Sequence, residues 1–510
     1  MTHLRRLPLL LLGVCLAALL AAQPLPAQPA PNQTARAQLA SAIEDTIGAP
    51  TFEGGFWGIR VMNLRTGAVL YDRNAAKRFV PASNVKLITA ATALERLGPD
   101  FRYRTRIYAD GPVEDGILQG NLIVRGAGDP SLGGWGMRND VTQVFRRWAD
   151  SLRAAGIHHI RGNIVGDDRR FNGTSLGDGW SWKDLTYGYG APIGGLVFNE
   201  NKVDITVEGG PRPGAATVSR SPDTEYVRVL NQARTVPPEA ETDEEYNRRL
   251  GTNTIEVRTR LHPGEVEDEA IAVEKPTAYF TTVLREVLVE EGISISGRPT
   301  DLAAHAPRPA YSADSLRRVA TYRSPSLRTL LRVLNHESRN LYAEQLLRTI
   351  ALEAPPDTQG TDVETLADVG ILAAKTTLAG AEADTSQVHL VDGSGLSRQN
   401  YVRPQALTSL LQHMWVHPDP AVSSAFFDSL PTGGKEGTLA YRFQGRTPAN
   451  GNVRAKTGTL SNVIALTGYV NTQQGTPIAF TLLSNHHIAE GDAVRAAQDA
   501  IVNAIANLPL

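Results

Sequence analysis

Apolar residues recur at helical spacing through Val85, Leu87, Ile88, Ala91, Leu94 and Leu97, and Gly98-Pro99 stops the run. Upstream, a helical pattern covers residues 35–48, and residues 56–62 and 68–71 carry the apolar content of two paired strands around the turn Arg65-Thr66-Gly67. From about residue 101 to 307 the texture changes. Short strand-like runs (118–125, 160–165, 203–207, 255–260) alternate with Gly, Pro and Asp turns. Helical patterns return over 327–334, 341–352, 363–378 and 404–415, and the chain closes with strands at 454–457, 464–470 and 478–483 and a helix over 489–506. Two strands and a helix cannot build a core alone. Joined to the three C-terminal strands they make one α/β domain, predicted over 33–100 plus 308–510. It is interrupted by a β-rich insert over 101–307, a block of domain size that is expected to divide into two subdomains.

Composition fits this picture. The 510 residues exceed what one core usually serves. With 42% hydrophobic and 20% charged residues, the chain is neither a polytopic membrane protein nor disordered. A formal net charge of −2 gives no reason to expect nucleic acid as a partner. Only eight of the 51 basic residues are lysine, so a lysine inside a motif is informative. Arg5 and Arg6 precede an apolar stretch of 16 residues (7–22), shorter than the ~20 of a spanning helix, so residues 1–27 read as a removed secretory leader. The only cysteine, Cys15, lies within it. An exported chain without thiols fits a bacterial periplasm, with peripheral membrane contact at most.

Three short motifs carry candidate chemistry. Ser83-Asn84-Val85-Lys86 opens the first strong helix, and residues three apart share a helical face, so the Lys86 amine reaches the Ser83 hydroxyl. A serine hydroxyl becomes a nucleophile once a base takes its proton, and a lysine serves if burial lowers its pKa. Taken alone, the same residues read as a capping serine with a surface lysine. Ser338-Arg339-Asn340 lies beside a helical stretch; alone it is a turn or cap. Lys456-Thr457-Gly458-Thr459 ends a strand. There a lysine and threonine hydroxyls can hold a carboxylate, and Gly458 lets a substrate approach the backbone closely.

Ser-x-x-Lys, Ser-x-Asn and Lys-Thr-Gly in this order are the signature of penicillin-binding proteins and class A β-lactamases. From Ser83 to Ser338 is 255 residues and from Ser338 to Lys456 is 118. With a long β-rich insert in the first gap, the chain resembles the S13 peptidases, the class C low-molecular-mass penicillin-binding proteins, from about residue 40 to the C-terminus. Gly179-Trp180-Ser181-Trp182-Lys183-Asp184 and Asp392-Gly393-Ser394-Gly395-Leu396-Ser397-Arg398 are similar to that family too. Arg339 departs from it, since many relatives have Asp there. The resemblance implies a penicillin-binding fold, a five-stranded antiparallel sheet with flanking helices. It also implies a serine D-alanyl-D-alanine carboxypeptidase, with D,D-endopeptidase action, working on peptidoglycan stem peptides without cofactor or metal. β-Lactam antibiotics would be acylating inhibitors, and a homodimer is admitted.

By the same resemblance Ser83 attacks the penultimate D-Ala carbonyl and Lys86 takes its proton. The N–H groups of Ser83 and Thr459 form the oxyanion hole. Ser338, helped by Lys456, relays a proton to the leaving amine. Asn340 binds the substrate amide and helps position Lys86. Lys456, Thr457 and Thr459 hold the terminal carboxylate, and Asp184 faces the stem peptide. Bland readings compete elsewhere. Asp392 and Ser394 suit turn chemistry, and Trp180 and Trp182 alternate as half-buried strand residues would. The pairs His158-His159 and His486-His487 do not share a helical face, which argues against a metal. A β-lactamase would need an added carboxylate base, which the sequence does not show. A catalytically silent wall-binding protein would have lost motif residues, and all three motifs are intact.

Overall fold

A computed structural model describes residues 31–134, 136, 140–171, 173–302 and 316–510. The leader over 1–27 lies outside the described residues, as does the expected boundary at 307–308. The first segment comprises helix α1 (Pro31–Ile47), strands β1 (Phe56–Asn63) and β2 (Val69–Arg73), and helix α2 (Val85–Leu97). The second holds α3 (Leu327–His336), α4 (Asn340–Glu353), α5 (Leu366–Gly380), α6 (Pro404–Trp415), α7 (Pro420–Asp428), β3 (Arg454–Leu460), β4 (Val463–Asn471), β5 (Pro477–Asn485) and α8 (Gly491–Ala506).

The two segments meet in one five-stranded sheet of order β2-β1-β5-β4-β3. Every pairing is antiparallel, and the chain crosses between segments where Phe56 faces Asn485. Helices cover both faces. On one, Ala35, Leu39 and Ile43 of α1 and Ile501 and Val502 of α8 pack on Ile59, Val61, Leu466 and Phe480. On the other, α2 through α7 pack around Ala465, Ala479 and Leu483. This explains why β4 and β5 read as continuous apolar runs: β5 is buried at all of its positions and β4 at all but Asn471. Helix α2 is buried on all sides from Val85 to Leu94, so apolar residues occupy every face and Lys86 is its one buried charge-bearing side chain.

The insert has its own core. Strands Pro299–Asp301, Ile164–Asp167, Asn121–Arg125, Arg104–Asp110 and Arg317–Arg323 form a second five-stranded sheet. Its last strand pairs antiparallel with Arg104–Asp110, which carries the insert to Arg323 rather than 307. The sheets of this region lean on one core, in which Ile107 and Val124 join Phe198, Ile205 and Ile255. Two helices, Gln143–Ala154 and Pro276–Glu290, fill it. The helical stripe Val144, Phe145, Trp148 and Leu152 lay in the sequence, masked by the short-strand texture around it. Trp180 and Trp182 are not on a strand. The glycines around them favour a looping path, and Trp182 is 65% exposed.

Candidate active site

Ser83 sits on a single tight turn, Ala82–Asn84, that runs directly into α2. Ala82 has φ 47°, a left-handed conformation rare for a residue with a side chain. Between residues 81 and 90, Ser83 is the only one not buried. The turn thus lifts one hydroxyl out of an otherwise sealed core helix. Gly395, at φ 81°, packs against this turn so closely that a Cβ there would lie 1.9 Å from the Ala82 carbonyl oxygen.

One helical turn on, Lys86 is fully buried. Its Nζ lies 2.9 Å from Ser83 Oγ, 2.6 Å from Asn340 Oδ1 and 2.6 Å from the Ser394 carbonyl oxygen. Burial lowers its pKa to about 7, while the carboxylates of Asp392 and Glu344 hold it back from falling further. A neutral lysine amine has two N–H bonds and one lone pair. The two carbonyl oxygens can only accept, so they take both hydrogens, and the lone pair is left facing the Ser83 hydroxyl.

The amide of Asn340 is oriented from the insert. Its Nδ2 donates to the Tyr189 carbonyl oxygen at 2.8 Å, and a carbonyl can only accept, so Oδ1 must face Lys86. The insert is therefore wired into the site through its backbone. Gln345 Nε2 donates to the Gly194 carbonyl at 2.8 Å and Trp180 Nε1 to Asp392 Oδ2 at 3.1 Å, tying the same junction. Arg339, the departure from the family pattern, reaches the buried Glu200 of the insert at 3.8 Å and Glu337 at 3.9 Å. Its guanidinium is thus engaged away from the two lysines.

Ser338 joins α3 to α4 in a left-handed conformation, φ 57°. Its Oγ accepts from Lys456 Nζ at 2.9 Å, and Lys456 also donates to the Thr457 carbonyl oxygen at 2.9 Å. Lys456 is fully buried, and burial pushes its pKa well below the ordinary lysine value, with Lys86 as a second cause. Asn84 Nδ2 donates to the Lys456 carbonyl at 3.2 Å, clamping β3 to the Ser83 turn. Thr457 Oγ1 is 2.9 Å from Thr438 Oγ1. Strand β3 is a sheet edge. Ala455 turns its N–H away from β4 to the Pro431 carbonyl at 3.2 Å, and strand alternation directs the N–H groups of Thr457 and Thr459 the same way. Gly458 lies against the Ser83 turn: a Cβ there would sit 3.0 Å from the Pro81 carbonyl oxygen and 3.1 Å from Ala82 Cβ.

The three motifs thus meet. Asp184 lies one link further out. Its carboxylate accepts from Ser181 N–H and the Tyr189 hydroxyl, each at 3.3 Å, and Tyr189 then reaches Asn340 through its carbonyl. The structure also brings in Glu344, which sequence reasoning missed. Its Oε1 accepts from Gly393 N–H at 3.0 Å and Ser394 N–H at 2.9 Å, and its Oε2 from Arg348 at 3.0 Å. Glu344 therefore holds the loop at Gly393 and Ser394, the residue whose carbonyl binds Lys86, while Asp392 holds the N–H of the following Gly395. The signal was present: Asn340 and Glu344 are four apart on α4 and share a face. Asp392 accepts from Gly395 N–H at 2.8 Å and Ser397 N–H at 2.7 Å, folding the Gly-rich loop. Ser394 serves through its carbonyl, its hydroxyl being buried and accepting from Leu396 N–H at 3.3 Å.

Comparison with known proteins follows the same lines. Residues 39–508 match the D-Ala-D-Ala carboxypeptidase 3 (S13) family. A D-alanyl-D-alanine carboxypeptidase of Actinomadura sp. (strain R39) is 33% identical over 478 residues, covering 91% of this chain and 84% of the relative. The D-alanyl-D-alanine carboxypeptidase DacB of Haemophilus influenzae is 27% identical over 443 residues, with 85% and 86% covered. The crystal structure of penicillin binding protein 4 (dacB) from H. influenzae superposes with a TM-score of 0.75 at 24% identity, over 91% of this chain and 99% of that one. The same protein complexed with a β-lactam gives a TM-score of 0.67 at 23% identity, over 90% and 98%. The chain belongs to the D-Ala-D-Ala carboxypeptidase 3 (S13) family.

Proposed function

We propose that Ser83 is the nucleophile of a serine-type D-Ala-D-Ala carboxypeptidase acting on peptidoglycan stem peptides, with neutral Lys86 as its base. The observation that carries this reading is the Lys86 amine, buried, lowered to about 7 and 2.9 Å from Ser83 Oγ. The Ser83 oxygen attacks the carbonyl of the penultimate D-Ala while Lys86 takes its proton. The N–H groups of Ser83 and Thr459 receive the oxyanion, a contribution of about 3–4 kcal/mol per donor in comparable sites. Ser338, bonded to Lys456, passes a proton to the leaving amine. Asn340 binds the substrate amide. Lys456, Thr457 and Thr459 take the terminal carboxylate, whose charge gives the buried Lys456 amine the counter-ion it lacks. Water then hydrolyses the ester on Ser83. On a cross-link the same steps release a second stem peptide instead of D-Ala, which is D,D-endopeptidase action. Asp184 is suited to a free amine on the stem side chain.

A penicillin acylates Ser83 by the same route. Among the described residues no helix is long and apolar enough to cross a membrane, and the basic, apolar leader suits export to the periplasm.

Two expected outcomes arise here. Ser83 acylation rises with pH through about 7 as Lys86 loses its proton. Glu344→Gln, which removes a negative charge stabilising protonated Lys86, moves this acidic limb to lower pH in stopped-flow measurements with a chromogenic cephalosporin. The second is Gly458→Ala. The new methyl meets backbone at 3.0 Å and displaces the nucleophile turn, so acylation slows about 10- to 100-fold while the chain stays folded by circular dichroism.

The reading is tested by mass spectrometry of products from purified muropeptides. Loss of one D-Ala from uncross-linked pentapeptide is expected, together with cleavage of D,D-cross-links. A β-lactam should be consumed in a burst equal to the enzyme concentration, followed by near-arrest. Intact muropeptides, or steady β-lactam turnover, would reject it.

A further inference from the structure

Glu95, His413 and His417 converge at the end of α2 opposite Ser83, about 18 Å away along the helix. Each offers one ligand atom, and the three atoms lie within 4.8 Å of one another. Glu95 and His413 belong to the last turns of α2 and α6, and His417 follows just beyond α6. His413 Nε2 is 2.6 Å from Glu95 Oε1, and His417 Nε2 is 3.9 Å from the same oxygen. The side chains are 20%, 26% and 14% exposed for Glu95, His413 and His417, sheltered yet open to an ion.

The surroundings orient the three groups. Thr377 Oγ1 donates to Glu95 Oε2 at 2.7 Å, which occupies one carboxylate oxygen and leaves Oε1 turned toward the imidazoles. His417 Nδ1 accepts from the Asp419 N–H at 3.1 Å and lies 3.3 Å from the Asp419 carbonyl oxygen. In the absence of an ion the hydrogen therefore sits on Nε2; an ion bound at Nε2 displaces it, and an Nδ1–H then donates to the Asp419 carbonyl oxygen. Such outer partners are what metal-bound histidines and carboxylates require. In addition, two helix C-termini meet here, and their carbonyl ends carry partial negative charge that favours a cation.

We propose that Glu95, His413 and His417 form a binding site for a zinc ion, with water in the fourth position. Two imidazoles and a carboxylate suit zinc, and bonds of about 2.0–2.1 Å place tetrahedral ligand atoms about 3.3 Å apart. The 2.6 Å contact opens and the 3.9 Å gap closes, each by under about 1 Å. The ion replaces the proton of a Glu95–His413 pair and ties α2 to α6, and through Thr377 to α5. It bears on the support of the nucleophile helix and has no part in the acyl transfer. The sequence reading weighed only adjacent histidines and expected no metal. His413 and His417 are four apart, but their partner Glu95 lies more than 300 residues away in the chain.

The test is titration of the chelator-stripped full chain with Zn2+ alone by calorimetry, with Co2+ as a spectroscopic substitute. One equivalent is expected to bind with micromolar or tighter affinity, raise the melting temperature, and in the Co2+ form give a visible spectrum of tetrahedral intensity. His413→Gln and His417→Gln should each weaken binding at least about tenfold, and Thr377→Val about tenfold. All three should acylate with a β-lactam at the wild-type rate, which shows that they fold. The absence of a stoichiometric Zn2+ site in the wild-type chain would overturn the proposal and leave an ion pair only. So would Zn2+ binding that both histidine variants retain in full. The wild-type titration decides the matter even if a variant fails to fold.

Discussion

Ser83→Ala eliminates D-Ala release from a pentapeptide stem and leaves no covalent β-lactam adduct. The loss is on the order of 10^6-fold in kcat, as for removal of the nucleophile in other serine hydrolases. No second hydroxyl can take over. Ser338 Oγ is bonded to Lys456 rather than Lys86, and Ser394 is fully buried with only its carbonyl on Lys86. The substitution should leave the fold untouched, because Ser83 is partly exposed and gives up a single side-chain hydrogen bond. A net loss of only about 1 kcal/mol of stability is therefore expected. Chromatography of the released amino acid checks this directly, and retained release would remove Ser83 from the mechanism.

Lys86→Met has the second largest effect, and it acts on two observables in different ways. Loss of the general base slows acylation by about 10^4-fold. Stability behaves otherwise. The folded-state pKa of Lys86, about 7, lies below its ordinary 10.5. Between these values the unfolded chain binds the extra proton, so wild-type stability gains about 1.4 kcal/mol per pH unit from this residue as pH rises from about 7 to about 10. Below about 7 the lysine is protonated in both states and the full cost of burying its charge is present. Methionine has nearly the same length and no charge to desolvate. It leaves Asn340 Oδ1 and the Ser394 carbonyl without a donor, at about 1–3 kcal/mol each, which offsets part of the gain. The variant should therefore match or exceed the wild type in urea unfolding at about pH 6. At about pH 9 this relative advantage should be smaller, because the slope contributed by Lys86 is gone. Lys456, lowered first by its own burial and only secondly by Lys86, keeps the larger part of its share of the slope in the variant.

The legible and illegible parts of this protein divide along physical lines. The helix behind Ser83 could be read because its apolar residues recur at helical spacing until Gly98 stops them, and the C-terminal strands β4 and β5 because both their faces are covered. The lysines of the two lysine motifs stood out in a chain that otherwise prefers arginine, and they are the buried pair of the site. What could not be read depends on long-range contact. The strand Arg317–Arg323 is defined by its partner more than 200 residues earlier, and its exposed, Arg-rich face hides the pattern. The orientation of Asn340 is set by a backbone carbonyl of Tyr189, and a backbone atom leaves no trace in residue identity. Glu344 was legible only after the helix register of Asn340 was known. Arg339, a departure in the motif, acquires its reason from Glu200 on the insert.

In the proposed reaction Ser83, activated by a neutral Lys86, carries the acyl group. Its most direct test is peptide mapping by mass spectrometry of the protein stalled with penicillin at about pH 8, beside the same reaction at about pH 5.5. The predicted result is a penicilloyl adduct confined to the peptide containing Ser83, formed much faster at the higher pH. An adduct on Ser338 or Ser394, or equal rates at the two pH values, would contradict it.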